Sequence, residues 1–192
     1  MATQEARRLA LQEKLDAGKN RVERNRMGQF ATPPDLALEI LRYAKAHFGE
    51  TGTVRFLDPA VGTGSFYSAL LNVFPAVRIE SSVGYEIDTH YGIPAAELWR
   101  ETGLDVRLED FTKAIPPSRT ERFNLLICNP PYVRHHHIAP GENNLFKPGP
   151  GMPAASPSMG WPACIAIFLA CLMRGWKTAD WPAGLFRASS WT

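Results

Sequence analysis

The sequence predicts an α/β fold built on a parallel sheet, and three observations support this. Short apolar or β-branched runs alternate with segments of helical periodicity, which is typical of βαβ units. The first run ends in a turn with two glycines that leads into a helix, at residues 58–64. Acidic or amide side chains follow the later runs, and open α/β sheets bind ligands at the carboxyl ends of their strands.

The same patterns place the elements along the chain. A strongly charged segment, residues 1–26, predicts an exposed lead-in helix. The domain that carries the chemistry is expected over residues 27–141, with strands and helices in alternation. The predicted strands are 54–57, 82–87, 106–108 and 123–128, and the predicted helices are 36–48, 64–74 and 93–101.

Composition excludes several classes of protein. The chain has 192 residues, 45% hydrophobic and 21% charged, which excludes a collagenous, coiled-coil or wholly disordered protein. The longest apolar run, 163–173, is too short to cross a bilayer, and the N-terminus has no signal-peptide core, so we expect a cytoplasmic protein. Three cysteines without CxxC spacing predict neither a disulfide nor a zinc site.

The glycine turn is the first candidate ligand site. Gly62 and Gly64 let the backbone approach a ligand closely, and the helix that follows presents unpaired N–H groups. The turn lacks the GxGxxG pattern of dinucleotide sites and the GK[ST] pattern of phosphate-binding loops. Hydride transfer and phosphoryl transfer are therefore disfavoured.

Carboxylates are expected at the ends of the next two strands. Glu86 lies at the position from which such folds hydrogen-bond a ribose diol, with a solvent-exposed strand end as the alternative. Asp110 can accept from the exocyclic amine of an adenine while Phe111 lies against the ring. An ordinary turn acid is the alternative for Asp110.

The fourth strand leads into Asn129-Pro130-Pro131-Tyr132. Two successive prolines cannot donate ladder hydrogen bonds, and they hold the backbone open at the strand end. The Asn129 amide oxygen and the Pro130 carbonyl then form two fixed acceptors for one planar NH2 group, and Tyr132 offers a face on which a ring can stack. A proline-rich turn that closes a sheet is the alternative.

The order of these motifs resembles the gamma-class N6-adenine DNA methyltransferases of bacterial restriction-modification systems. The resemblance covers about residues 27–138, and it includes Gly28-Gln29-Phe30-Ala31-Thr32-Pro33 ahead of the glycine turn and Val133-Arg134-His135 at its end. It implies a Rossmann-like S-adenosylmethionine-dependent methyltransferase fold. It also implies a bacterial cytoplasmic enzyme that acts on double-stranded DNA, flips the target adenine out of the duplex and works beside a restriction endonuclease activity.

The resemblance also implies roles for individual residues. The S-adenosylmethionine site would comprise Thr32, Pro33, Asp58, Ala60, Gly62, Gly64, Glu86, Asp110 and Phe111. The target base would be held by Asn129, Pro130, Pro131 and Tyr132, and DNA would be contacted by Arg134 and His135. No metal is expected, because consecutive histidines in an extended segment point to opposite faces. Catalysis would require alignment and stabilisation of the charge on nitrogen rather than a general base.

Two alternatives remain open. Protein glutamine N5-methyltransferases resemble this chain in using an Asn-Pro-Pro-Tyr loop beside the same cofactor, although residues 29–33 and 133–135 look like those of the DNA enzymes. The second alternative is an inactive remnant that binds the cofactor but completes no reaction.

The tail, residues 142–192, differs from the domain before it. Residues 143–192 hold four of the five tryptophans and one acidic residue, with no clean helical or strand period. Codons for residues 181–192, read one base earlier, can specify Leu-Ala-Gly-Trp-Leu-Ile-Pro-Ser-Glu-Phe-Met-Asp, a segment like that of full-length relatives. We therefore predict a frame shift between residues 141 and 147, an incomplete sheet, a missing target-recognition region, and slow or absent methyl transfer.

Overall fold

The computed structural model describes residues 3–48, 52–115 and 122–130. Predictions for Pro131, Tyr132, Arg134, His135 and the tail lie outside these residues. None of the helices in these ranges is both long and apolar enough to cross a membrane. The elements are α1 (Gln4–Ala17), α2 (Arg21–Met27), α3 (Pro34–His47), β1 (Val54–Asp58), α4 (Ser65–Val73), β2 (Ile79–Tyr85), α5 (Thr89–Trp99), β3 (Leu104–Arg107) and β4 (Leu125–Leu126), with single 3-10 turns at Ala76–Arg78 and Phe111–Lys113.

The four strands form one parallel sheet in the order β3-β2-β1-β4. The helices α4 and α5 connect β1 to β2 and β2 to β3, as parallel strands require. The chain then crosses back so that β4 pairs with the other side of β1. This reversal places a topological switch point between β1 and β4, where open α/β sheets bind ligands. The predicted α/β fold with a parallel sheet is confirmed.

Side chains alternate across the sheet and build two apolar clusters. Phe56 packs with the buried residues of α3 and α4 on one face, whereas Leu57 packs with Val83 and Tyr85 on the other. The first cluster also contains Trp99 of α5, which is fully buried and meets the Tyr67 ring edge to face at 5.1 Å between ring centroids. The helices are therefore fixed to the sheet close to the carboxyl ends of its strands.

Several element boundaries differ from the predictions. The strand β2 ends at Tyr85, so Glu86 lies just beyond it. The helix α5 begins at Thr89 instead of residue 93, because the Asp88 side chain caps it by accepting from the backbone N–H of His90 at 3.0 Å. Pro94 therefore lies within the helix rather than in its first turn. The strand β4 is shorter than predicted.

The prediction of a single exposed lead-in helix is wrong. The segment forms two helices, and Asn20 caps the second by accepting from the backbone N–H of Glu23 at 2.7 Å. On α1, Arg8 and Leu15 are buried. Residues 8, 11, 12 and 15 share one helical face, and that face packs on α4 and α5 because two of the four are leucines.

Candidate cofactor and substrate site

One cavity of about 270 Å³ lies at the carboxyl ends of the strands. Its walls come from the glycine turn, the residues that follow β2, β3 and β4, the segment before α3, and one side chain of α1. Eight of the predicted site residues line it: Thr32, Asp58, Ala60, Gly62, Glu86, Asp110, Phe111 and Asn129. The fold therefore brings together residues that are nearly 100 positions apart in the chain.

Three further predicted residues lie in the described ranges but do not line the cavity: Pro33, Gly64 and Pro130. Pro33 is the residue before α3, and its carbonyl accepts from the backbone N–H of Ala37 at 3.0 Å. Gly64 occupies the corresponding position before α4. Both of these residues therefore adjoin the cavity, because Thr32, which precedes Pro33, and Ser65, which follows Gly64, line it.

The conformation of the glycine turn depends on both glycines. Gly62 and Gly64 have φ angles of 55° and 91°, in the left-handed region that side chains disfavour. A Cβ on Gly64 would lie 2.4 Å from Nε1 of Trp99, whose indole N–H donates to the carbonyl of Thr63 at 2.8 Å. Gly64 is thus required for close packing behind the turn.

Glu86 connects the glycine turn to the residues after β2. Its Oε2 accepts from the backbone N–H of Gly62 at 3.0 Å, and its Oε1 accepts from the backbone N–H of Asp88 at 2.8 Å. Burial, together with the charge of Asp88, raises the pKa of the Glu86 carboxyl in spite of these hydrogen bonds. Each oxygen has a further lone pair that can accept from a ligand hydroxyl.

Asp58, the last residue of β1, is 1% exposed. Its Oδ1 accepts from the backbone N–H of Ala60 at 3.1 Å. Burial, and to a smaller extent the charge of Glu86, raises the pKa of the Asp58 carboxyl to about 8. A buried carboxylic acid with a raised pKa beside a cavity is typical of a functional site.

Asp110 and Phe111 form the wall after β3. Asp110 accepts from the backbone N–H and the hydroxyl of Thr112, at 3.0 and 2.7 Å. Burial opposes ionisation of this carboxyl, but those hydrogen bonds and the nearby Lys113 outweigh it and lower the pKa of Asp110. The ring of Phe111 meets that of Tyr85 edge to face, with 5.2 Å between the centroids.

Asn129 forms the wall after β4. Its Nδ2 donates to the backbone carbonyl of Phe30, at 3.0 Å. Cys128, which precedes it, is a neutral thiol, because burial and the charge of Asp58 raise its pKa. The polar group that the residues after β4 contribute to the cavity lining is therefore the amide of Asn129, whose Oδ1 is a hydrogen-bond acceptor.

A polar cluster that the sequence motifs did not indicate lies at the rim of the cavity. Gln29 donates from Nε2 to Oδ2 of Asp88 at 2.6 Å, and Lys19 forms an ion pair with the same carboxylate and donates to Oε1 of Gln29 at 3.0 Å. These contacts join the loop between α1 and α2, and the segment before α3, to the end of β2. The sequence contains a signal for Asp88, because this second carboxylate lies two residues after Glu86 at the same strand end.

The lining is acidic. Among the described residues it contains four carboxyl groups, those of Asp58, Glu86, Glu109 and Asp110, and no lysine, arginine or histidine. Such a cavity favours a ligand with a positive charge over one with phosphate groups. No cluster of three or more histidine, cysteine, aspartate or glutamate side chains in the described ranges is arranged to hold a metal ion.

Comparison with solved structures identifies the architecture. A protein from Listeria monocytogenes assigned to the class I S-adenosylmethionine-dependent methyltransferases matches 91% of this chain and 50% of its own, with a TM-score of 0.61 and 18% identity. The chain has a class I methyltransferase fold. A modification subunit assigned to a type I restriction enzyme from Vibrio vulnificus shares this methyltransferase fold, with a TM-score of 0.54 and 18% identity over 90% of this chain and 34% of its own.

Sequence comparison gives relatives of two kinds. Modification methylase CviBIII of Paramecium bursaria Chlorella virus NC1A is 27% identical over 131 residues, which are 65% of this chain and 33% of the relative. Type II methyltransferase M.CvrRI of Paramecium bursaria Chlorella virus XZ-6E is 32% identical over 111 residues, 57% of this chain and 26% of its own. A release factor glutamine methyltransferase of Agrobacterium fabrum is 30% identical over 100 residues, 52% of this chain and 34% of its own.

These similarities confirm the resemblance to restriction-modification methyltransferases that the motifs indicated. No protein-family model matches the chain. The chain spans between 26% and 34% of the length of these three relatives.

Proposed function

We propose that this chain binds S-adenosylmethionine in the cavity at the strand ends and transfers its methyl group to N6 of adenine in double-stranded DNA. The observation that carries the proposal is the order of polar residues along the sheet edge. Asp110, Glu86 and Asn129 follow β3, β2 and β4, and Asp58 ends β1. The order Asp110, Glu86, Asp58, Asn129 is therefore the order of the strands in the sheet.

That order matches the parts of the cofactor. Asp110 and Phe111 suit an adenine ring, Glu86 suits a ribose diol, and Asp58 with the glycine turn suits the methionyl end. The acidic lining fits the positive charge of a sulfonium compound. When bound, S-adenosylmethionine supplies a strongly electrophilic methyl group.

The acceptor part of the proposal rests on Asn129. Its Nδ2 donates to the Phe30 carbonyl, so Oδ1 is the atom proposed to accept from an exocyclic amine. The Pro130 carbonyl would accept the second hydrogen of that amine. Two acceptors fixed there stabilise the positive charge that develops on nitrogen, and no general base is needed.

DNA as the substrate class is supported by the viral modification methylases among the relatives. Adenine N6 is buried in pairing and stacking, so the base must leave the duplex to reach Asn129. Pro131 and Tyr132 are proposed to complete the pocket for that base, and Arg134 and His135 to contact the DNA. A restriction endonuclease activity is the expected functional partner.

The test uses the full chain, isotopically labelled S-adenosylmethionine and unmethylated double-stranded DNA. The expected product after digestion is labelled N6-methyldeoxyadenosine, collected over a long incubation because the sequence of the tail predicts slow transfer. DNA in which every adenine already carries an N6-methyl group should take up no label. Failure of the chain to bind S-adenosylmethionine in calorimetry would contradict the proposal.

Glutamine methylation of protein is the second candidate, because the Agrobacterium fabrum relative is a glutamine methyltransferase. An amide nitrogen can occupy the same pair of acceptors as an adenine amine. The same assay with a glutamine-containing peptide separates the two, since label in the peptide and none in DNA favours this candidate. Cofactor binding without transfer to either substrate would favour the inactive remnant.

A further inference from the structure

We infer that Arg8 of α1 is a positioning residue for the methionyl end of the cofactor and that it acts through Thr63 of the glycine turn. The inference rests on the proposed binding of S-adenosylmethionine. It assigns a part of the cofactor site to the N-terminal helix, outside all the motifs of the sequence.

Arg8 is buried and forms an ion pair with Glu5. The residue is 1% exposed, and it donates to both carboxylate oxygens of Glu5, from Nε at 2.8 Å and from Nη2 at 2.6 Å. Burial opposes ionisation of Glu5, but hydrogen bonds from Arg8 and Ser68 outweigh it and lower its pKa, so the pair is ionic. The Glu5 side chain is 25% exposed, whereas the charge of Arg8 has been taken out of water, which costs free energy, so stability alone does not explain an arginine at this position.

Arg8 also contacts the glycine turn, through the side chain of Thr63. Nη1 of Arg8 donates to Oγ1 of Thr63 at 3.2 Å, and that hydroxyl donates to Oε1 of Gln12 at 2.5 Å. The carbonyl of Thr63 accepts from Trp99 at 2.8 Å. Thr63 is therefore held through both its side chain and its backbone, and the conformation of its side chain depends on α1.

Thr63 lies at the end of the cavity that the adenine and ribose would leave open. Thr63, Gln12 and Ser65 line the part next to the end of β1 and the start of α4, beyond Glu86 as seen from Asp110. A ligand with its adenine at β3 and its ribose at β2 has only its amino-acid end left for this part.

The charge of Arg8 suits the methionyl end of the cofactor. A methionyl end carries both an ammonium and a carboxylate. Within the described ranges Arg8 is a buried cation that contacts the turn at Thr63, whereas the buried carboxyl of Asp58, at the start of the segment 58–63, keeps its proton at neutral pH because its pKa is raised to about 8. Arg8 does not line the cavity, and its charge is paired with Glu5, so it acts indirectly: it fixes the side chain of Thr63, and with it the part of the turn that faces the methionyl end.

The test compares binding of two ligands by calorimetry, S-adenosylmethionine and adenosine, which lacks the methionyl end. Arg8→Met should weaken binding of S-adenosylmethionine about tenfold or more and leave adenosine nearly unchanged. Arg8→Lys should restore part of the loss. Arg7→Met is the matched control, because Arg7 is exposed on the same helix, and it should change neither affinity.

Thr63→Val tests the same contact with the ion pair of Arg8 and Glu5 intact, so it applies even if Arg8→Met does not fold. It should weaken S-adenosylmethionine selectively, and adding Arg8→Met to it should cause little further loss. Equal weakening of both ligands, or unchanged affinity for S-adenosylmethionine in Thr63→Val, would overturn the inference. If the unaltered chain fails to bind S-adenosylmethionine, the proposed function itself is wrong.

Discussion

The side-chain amide of Asn129 donates through Nδ2 to the backbone carbonyl of Phe30 at 3.0 Å, across 99 positions of sequence. This bond joins the residue after β4 to the segment before α3. It sets which end of the amide is presented to a substrate, because Nδ2 donates to Phe30 and Oδ1 is the acceptor end. The Gln-Phe-Ala-Thr-Pro segment therefore orients the proposed catalytic residue.

Asn129→Asp is the first test of that relationship. The substitution removes the donor to Phe30 and sets a carboxylate oxygen against the carbonyl, so the side chain should turn away. We expect single-turnover methyl transfer to fall by about 100-fold or more, while calorimetry shows little change in S-adenosylmethionine binding. In the control Asn72→Asp, an amide that donates to the Ser68 carbonyl at 2.8 Å outside the cavity, transfer should be unaffected. An unaltered rate in Asn129→Asp would contradict the assignment.

Glu86→Ala should remove the proposed ribose acceptor. Loss of hydrogen bonds to a charged group costs on the order of 2–4 kcal/mol, so the affinity for S-adenosylmethionine should fall between about 30-fold and 1000-fold. Calorimetry measures the change. Glu101→Ala, at an exposed carboxylate beyond α5, is the control and should bind normally. Equal affinities in the two variants would exclude Glu86 as a cofactor ligand.

Sequence patterns predicted the parallel sheet and the positions of Glu86, Asp110 and Asn129, because a strand end followed by a polar residue is a local signal. They did not predict the burial of Arg8, because charged residues are usually solvated on a helix. The signal was present, since Arg8 and Gln12 share a helical face with Leu11 and Leu15. Their partner, Thr63, is more than 50 positions away, and the contact depends on how α1 packs.

The raised pKa of Asp58 predicts a pH-dependent stability. Its pKa is about 8 in the folded protein and about 3.9 in an unfolded chain, so the folded state holds the proton more tightly. The stabilisation that this proton provides is complete below about pH 4 and is lost as the pH rises through 8. Asp58→Asn lacks the titrating group and should not show this loss. Between pH 6 and pH 9 the free energy of unfolding of the unaltered chain should therefore fall, relative to that of Asp58→Asn, by at least about 1 kcal/mol.

Urea unfolding without cofactor at several pH values checks this prediction. Asp35→Asn, at an exposed position in the first turn of α3, should leave the pH dependence as it is in the unaltered chain. A constant difference between Asp58→Asn and the unaltered chain across this range would show that Asp58 is already ionised at pH 6.

Gly64→Ala and Gly103→Ala form a matched pair. The two glycines have φ angles of 91° and 90°, so an alanine at either position is strained in the left-handed region, by about 1–2 kcal/mol. A Cβ at Gly103 meets nothing within 4 Å, whereas at Gly64 it meets the buried indole of Trp99 at 2.4 Å. In urea unfolding, the free energy of unfolding of Gly64→Ala should be lower than that of Gly103→Ala by about 1–3 kcal/mol. Equal losses would mean that the indole moves aside at no cost.

The hydrogen bond from the Trp99 indole to the Thr63 carbonyl makes the glycine turn visible to spectroscopy. The NMR frequency of an indole proton depends on the length of its hydrogen bond, and this proton is bonded to a residue that lines the cavity. Any displacement of the turn when a ligand enters would move one cross-peak in the indole region, with no label on the ligand. The protein thus contains its own reporter of occupancy, at the end of the cavity where the methionyl end of the cofactor would lie.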